Sequence, residues 1–196
     1  MNGKIVMVGG LVLAVGVVAV GALALHPWQR KGLPSLRDDS AEEQVRHVLA
    51  TPSLPAALAY VRPALADGRE GLGQTLLAIW ATHHLRWSDV DADETWFPQF
   101  KKDPDAERGR RFCVEGRVVE IAAALLAGRK TFRGILISPP PVVPVQFTAV
   151  GSSGGIVAHS PARFCGIATG LLAYQSNDGP KEGLQAFGMF DLPENR

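Results

Sequence analysis

Apolar and polar positions divide the chain into three stretches with different periods. Residues 5–25 are apolar without interruption, residues 40–87 repeat apolar side chains at helical spacing, and short alternating runs typical of β-strands follow from residue 111 onward. This order predicts an α+β protein with a single N-terminal transmembrane helix, a small helical segment and a five-stranded barrel or sandwich.

The first stretch is long enough to cross a bilayer. As a helix, residues 5–25 would extend over about 31 Å, the thickness of the hydrocarbon region. We therefore expect a transmembrane helix or signal anchor, preceded by a short lead at residues 1–4 and followed by a juxtamembrane linker at residues 26–39. The alternative is a cleaved signal peptide, for which residues 22–24 (ALA) offer a small-residue cleavage site.

The second stretch predicts about three helices within a segment that we place at residues 40–110. Ser40 and Glu43 fit a capping box, which predicts that the first helix begins there. Residues 54–65 contain two prolines and predict a short or broken helix. Residues 72–87 carry the strongest helical repeat, and the rest of the segment is an acidic and then mixed connection.

The third stretch, residues 111–196, predicts a small β domain. Five alternating runs are separated by Gly, Pro, Asn or Asp clusters, and residues 171–187 indicate a hairpin. The runs are FCVEGRVVEI (112–121), TFRGILIS (131–138), VPVQFTAV (143–150), RFCGIATGLLAY (163–174) and LQAFGMF (184–190).

These five runs, with their glycine-containing turns and one longer connection, resemble an OB-type barrel. The resemblance covers residues 112–190 and departs from the family at residues 151–161, which are short and Gly-rich where many such barrels carry a helix. It implies a binding face flanked by two loops. Arg129, Lys130, Arg133 and Lys181 lie in or near those loops and are the candidate ligand-binding residues.

Charge argues against nucleic acid as the expected partner. The net charge is +1, so the chain as a whole offers no strong attraction to phosphates. Single-stranded nucleic acid also needs exposed aromatic rings for stacking, and phenylalanines in such strands usually belong to a core. We therefore expect nucleic acid to be disfavoured.

Two cysteines, Cys113 and Cys165, occur in the same tripeptide, Arg-Phe-Cys. A disulfide between them would stabilise the fold by about 4 kcal/mol through loop closure. In an OB barrel, however, the first and fourth strands are antiparallel, so residues near both strand starts are expected toward opposite ends. The sequence therefore leaves two alternatives for the cysteines, a disulfide or a pair of buried thiols.

The sequence VGSSGG contains the pattern G-x-S-x-G around Ser153, with His159 following it. A nucleophile elbow requires a helix directly after the serine, and the glycines and Pro161 argue against one. We expect a flexible turn and predict no catalytic residue.

No metal site and no cofactor are predicted. His83 and His84 are adjacent, which points their rings about 100° apart on a helix, and His83 falls on the apolar stripe, where we expect a hydrogen-bonded core histidine. Asp89, Asp91 and Asp93 resemble the start of a calcium loop, but that loop's glycine and final glutamate are missing.

Together these inferences favour a membrane-anchored, single-pass accessory or binding protein, not an enzyme. Its soluble part would lie in the periplasm or outside the cell and contact a protein, peptide or envelope component through the barrel. The alternative is a cytoplasm-facing OB-like protein that binds nucleic acid, and a hydrolase that uses Ser153 comes third.

Overall fold

The computed structural model describes residues 38–66, 70–176 and 179–196, which belong to one compact unit. The predicted transmembrane segment at residues 5–25, its cleavage and its orientation lie outside the described residues. Within the described ranges, no helix combines the length and the apolar character that crossing a membrane requires.

Three helices form a layer against the barrel: α1 (Asp38–Ala50), α2 (Leu54–Ala66) and α3 (Glu70–His84). Helix α1 begins ahead of Ser40, so the predicted capping position is wrong and Ser40 lies within the first turn. Helix α2 continues unbroken past its internal Pro63, which is exposed, while Ala57 and Val61 on its buried face share a core with α3. The fully buried Trp80 of α3 donates from Nε1 to the Thr51 carbonyl at 3.0 Å.

The connection to the barrel holds a 3₁₀ turn (Trp87–Asp89) and two short helices, α4 (Phe97–Lys102) and α5 (Pro104–Glu107). Each short helix has a proline in its first turn, where the missing amide hydrogen costs least. Helix α4 inserts Phe100 into the barrel core, where its side chain is completely buried.

Five strands follow and form a closed barrel. Around the barrel their order is β1-β2-β3-β5-β4, and only the β3–β5 pair is parallel. This is the Greek-key arrangement of an OB fold, so the resemblance is confirmed and the sandwich alternative is excluded. The strands are β1 (Arg111–Leu126), β2 (Arg129–Ile137), β3 (Pro144–Ala149), β4 (Pro161–Ser176) and β5 (Gly179–Phe190).

Strand β1 closes the barrel by pairing with different neighbours along its length. Its first half pairs with β4, and a bulge between Val118 and Glu120 precedes the half that pairs with β2 alone. Bulges bend a strand and increase its twist, which the small barrel requires. On the inside, the rings of Phe147 and Phe164 lie edge-on to Phe190 at 5.2 and 5.7 Å between centroids.

The connection from β3 to β4 contains no helix, as the sequence indicates. Its Ile156 packs against the barrel core, and the buried Phe100 reaches the same core from α4, upstream of β1. An ion pair between Lys101 and Glu182, 2.8 Å apart, ties α4 to β5. A helix from before the first strand thus contributes to the core of a barrel that lacks the family's usual internal helix.

The disulfide alternative is the one that the structure contains. Cys113 and Cys165 are bonded, and they are direct register partners across β1 and β4 with Cα atoms 4.1 Å apart. The apparent conflict with an OB barrel disappears because only the first halves of these antiparallel strands overlap. The bond lies on the outer side of the barrel, where Cys165 is fully buried among residues of the helical layer.

The helical layer leaves one side of the barrel uncovered. Outward side chains of β4 and β5, including Ile167, Phe187 and Met189, join Leu77 and Trp80 in a common core with the helices. By contrast, the outward positions of β2, β3 and the second half of β1 include the exposed Arg133, Gln146 and Glu120. We call this uncovered surface of β1, β2 and β3 the open face.

Candidate nucleic-acid interface

Two β-hairpins flank the open face, and each carries predicted cationic residues. The β1–β2 hairpin turns through Ala127 and Gly128, which have positive φ values of 48° and 74°. Positive φ at both central residues is the requirement of a type I′ turn. The strand therefore restarts at Arg129, and both Arg129 and Lys130 are exposed directly after the turn.

The second hairpin joins β4 to β5, with Ser176 paired to Gly179. Lys181 lies early in β5, opposite Tyr174 of β4, and is exposed. Residues of this hairpin continue the surface of β3, because β5 pairs with β3 on its other edge. Lys181 thus belongs to the opposite border of the open face from Arg129.

Arg133 lies on the open face between the two hairpins. Its register partners are Ala122 on β1 and Thr148 on β3, so small neighbours leave the guanidinium exposed. At the far side of this face, the Gln185 amide donates to the Gln146 side chain at 3.0 Å, and Gln74 of α3 bonds to Gln185. This amide chain marks where the helical layer ends.

Lys130 and Phe132 are close to Arg133 along β2, but their side chains lie on the opposite side of the strand. The Lys130 Nζ lies 5.0 Å from the centroid of the half-buried Phe132 ring. Both side chains point toward the barrel interior at its rim, in register with Leu125 and Ala123 of β1. Leu125 is 59% exposed, so the rim is apolar as well as cationic.

The strongest ion pairs of the described residues lie away from this surface. Burial opposes ionisation of Asp191, but hydrogen bonds from Arg163 and Arg196 outweigh it and lower its pKa. The hydrogen bond from Arg111, 2.5 Å long, similarly lowers the pKa of Glu94. By contrast, Arg129, Lys130 and Arg133 form no ion pair with a carboxylate of the described residues, so their charge is available to a ligand.

Ser153 does not form a nucleophile elbow. The described chain from 150 to 160 is loop and turn without a helix, and Gly151 and Gly154 have positive φ values of 80° and 53°. Within this loop, the Ser153 carbonyl accepts from Ile156, and no hydrogen bond joins the Ser153 and His159 side chains. The motif is a turn.

The histidine prediction is wrong in its choice of residue. His83 is exposed, with Nδ1 2.7 Å from Thr82 Oγ1. His84 is the one that packs inward: its Nε2 lies 2.8 Å from the Leu49 carbonyl, and its ring stacks on Trp80 with centroids 5.4 Å apart. Both histidines belong to α3, and the inward position is the one four residues after the buried Trp80.

The three aspartates have separate structural roles. Asp89 accepts from the Arg86 amide at 2.8 Å, and Asp93 accepts from the Cys113 amide at 2.7 Å. Asp91 lies 4.0 Å from Arg163 and also close to both cysteine sulfurs, which are already bonded to each other. These carboxylates therefore anchor the loop before β1.

Comparison with known proteins finds similarity among solved structures only. No protein-family model matches the chain, and no curated protein matches it. A crystal structure of the mitochondrial single-stranded DNA-binding protein Rim1 from S. cerevisiae matches with 12% identity and a TM-score of 0.31, over 45% of this chain and 98% of that chain.

This match contradicts two expectations drawn from the sequence. The sequence favours a membrane-anchored accessory protein outside the cytoplasm and disfavours nucleic acid as a partner. The matching structure, by contrast, is that of a single-stranded DNA-binding protein. The net charge misled because it averages over the whole chain, whereas Arg129, Lys130 and Arg133 concentrate at one hairpin. The C-terminal half of the chain is an OB-like five-stranded barrel with its open face bordered by two hairpins.

Proposed function

We propose that this protein binds single-stranded nucleic acid across the open face. The observation that carries the proposal is the exposure of Arg129, Lys130 and Arg133, which have no carboxylate partner among the described residues. Arg133 lies on the open face, and Arg129 and Lys130 lie at the β1–β2 hairpin that borders it, with Lys130 at the barrel rim. Cations in this arrangement neutralise backbone phosphates and release counterions, which supplies affinity without sequence preference. Lys181 is also exposed, on the second hairpin, but the proposal does not rest on it.

Partly exposed aromatic rings support a single strand over a duplex. Phe132 at the barrel rim and Tyr174 on the β4–β5 hairpin are half-buried and lie beside Lys130 and Lys181 respectively. Unpaired bases gain about 1–3 kcal/mol each by stacking on aromatic side chains, and paired bases cannot reach them. The expected ligand is therefore single-stranded DNA or RNA, held by phosphate contacts and a few stacked bases.

Fluorescence anisotropy tests the proposal with the full chain in a non-ionic detergent and a labelled, mixed-sequence single strand. We expect saturable binding at low salt and weaker binding to a duplex of the same length. The variant K130A/R133A should lose at least tenfold in affinity, at about 1 kcal/mol or more for each lost phosphate contact.

A matched control separates the open face from total charge. Arg46 on α1 and Lys102 on α4 are exposed, so R46A/K102A removes the same two residue types from elsewhere. The control should bind like the parent chain. Equal losses in both double variants would mean that only net charge matters, and the open face would not be the binding site.

The compartment and the membrane segment at residues 5–25 stay predictions. The proposed binding depends on the barrel surface alone, and the same anisotropy measurement is valid whichever side of a membrane the barrel faces.

A further inference from the structure

A second concave region lies between the helical layer and the start of β1, and the proposed function does not use it. Its cavity volume is about 850 Å³. The walls are residues 52–55, which form the entry to α2 and its first residues, the end of α3 and the segment that follows it. We call this region the arginine cleft, after Arg62 and Arg86, which line it from two different elements.

The arginine cleft carries an excess of positive charge. Its wall holds Arg62, Arg86 and Arg111 against the carboxylates of Asp89 and Glu94. Arg111 pairs with Glu94, whereas Asp89 accepts only from the Arg86 backbone amide, at 2.8 Å, and keeps its charge. The exposed Arg62 and Arg86 form no ion pair with the described residues, so these two cations face one unpaired carboxylate and remain able to bind an anion.

His83 lines the same wall but supplies no assigned donor. It is exposed, and its Nδ1 lies 2.7 Å from Thr82 Oγ1, whose own hydrogen goes to the Ile79 carbonyl, so Nδ1 is the donor in this contact. The other nitrogen of a neutral ring can only accept. The donors suited to the oxygens of a phosphate or carboxylate are therefore those of the two arginines.

The floor of the cleft is apolar. Leu54 and Leu58 of α2 line it with Leu85 and the indole of Trp80, which is fixed by its hydrogen bond to the Thr51 carbonyl. Small-molecule sites are concave and enclose roughly 300–1,000 Å³. The arginine cleft has this size, but its lining is more polar than that of a typical site, with a smaller apolar part at these leucines.

We propose that the arginine cleft binds a small organic anion, in which a phosphate or carboxylate group is attached to a planar, apolar body. The anionic group pairs with Arg62 and Arg86, and the body covers the leucines beside Trp80. Inorganic phosphate alone would meet only the cationic wall, and it is expected to bind at least tenfold more weakly than an anion with a body.

Isothermal titration calorimetry on the full chain in non-ionic detergent tests this proposal with three probes. ADP carries a diphosphate joined through a ribose to a planar base, indole-3-acetate carries a carboxylate on a planar ring, and inorganic phosphate presents the anion alone. We expect ADP or indole-3-acetate to bind with a Kd below about 1 mM. Absence of binding by both would overturn the proposal, and equal binding of inorganic phosphate would overturn the role of the apolar floor.

Reciprocal variants distinguish this site from the open face. R62A/R86A and R129A/R133A each remove two exposed arginines. The first should weaken the anion at least tenfold and leave binding of the labelled single strand unchanged, and the second should do the reverse. If R62A/R86A binds the anion like the parent chain, the arginine cleft is not the site. If R62A/R86A loses anion binding but R129A/R133A still binds the labelled single strand like the parent chain, the proposed function fails and the cleft remains the anion site.

Discussion

Truncation of Phe100 tests whether α4 belongs to the barrel's core. The side chain is fully buried among barrel residues, although α4 precedes the first strand. Phe100→Ala removes the ring and leaves a cavity in the core against which the half-buried Trp96 also packs. The strands hold their hydrogen bonds in either case, so the cost reports packing.

The expected loss is about 3–5 kcal/mol, the usual cost of truncating a buried phenylalanine to alanine. Domains are typically stable by about 5–15 kcal/mol, so the variant should lose a large share of its total free energy of unfolding. With a urea dependence of about 2 kcal/mol per molar, the unfolding midpoint should fall by about 2 M. Circular dichroism of the full chain in non-ionic detergent measures that midpoint.

Gln99→Ala serves as the control, because Gln99 is exposed on the same short helix. It should change the free energy of unfolding by no more than about 0.5 kcal/mol. The reasoning would be refuted if Phe100→Ala cost less than about 1 kcal/mol with an unchanged urea dependence, since the barrel would then hold its core without α4.

Three further predictions concern the barrel and its surroundings. The double variant C113A/C165A should lose about 4 kcal/mol in urea unfolding, because the disulfide closes a loop with a sequence separation of 52; a loss below about 1 kcal/mol would contradict the loop-closure argument. The pKa of Asp191 in the folded protein lies below its ordinary value of 3.8. Its ionised carboxylate therefore stabilises the fold above that value, and this stability is lost as pH falls through the folded pKa, so the difference in Tm between the parent and D191N should narrow from pH 5 to pH 3. A constant difference would count against the Arg163 and Arg196 contacts. Gly134→Ala places a Cβ 2.7 Å from the Phe147 ring and against the Glu120 carbonyl, so it should lower the free energy of unfolding by about 1–3 kcal/mol. The control, Gly71→Ala, adds a Cβ in open space and should not destabilise the fold. Equal shifts in Tm for the two variants would refute this prediction.

The strands could be predicted from alternation, but their lengths could not. The run predicted at residues 112–121 extends to Leu126 through three alanines and two leucines, residues that favour helices. They form a strand because β2 pairs with them from Ala122 to Leu126. Pairing across the hairpin therefore overrides local preference, and the first border of the open face was not visible in the sequence.

The position of α4 shows a second limit. Its six residues, FPQFKK, lie in a segment whose charges and prolines indicate a connection. The helix matters because Phe100 fits a barrel that forms only after five later strands have come together. A sequence pattern with a local period cannot reveal a contact of this kind.

The sequence predicts Arg129, Lys130, Arg133 and Lys181 as ligand-binding residues from their positions in or near two loops, and their role stays a prediction. The structure adds what loop position does not show. Arg133 is exposed because its register partners, Ala122 and Thr148, are small and because the helices cover the other side of the barrel. Net charge carries no information on such placement. The arginine cleft was missed altogether, because Arg62 and Arg86 come from elements that only folding brings together.

The salt dependence of single-strand binding tests the central claim most directly. Each cation that neutralises a phosphate of a single strand contributes about 0.7 to the slope of log affinity against log salt concentration. The slope of the parent chain should therefore exceed that of R129A/K130A/R133A by about 2 in magnitude. Identical slopes, or no binding of single strands by the parent chain at about 50 mM salt, would contradict the assignment of the open face to nucleic acid.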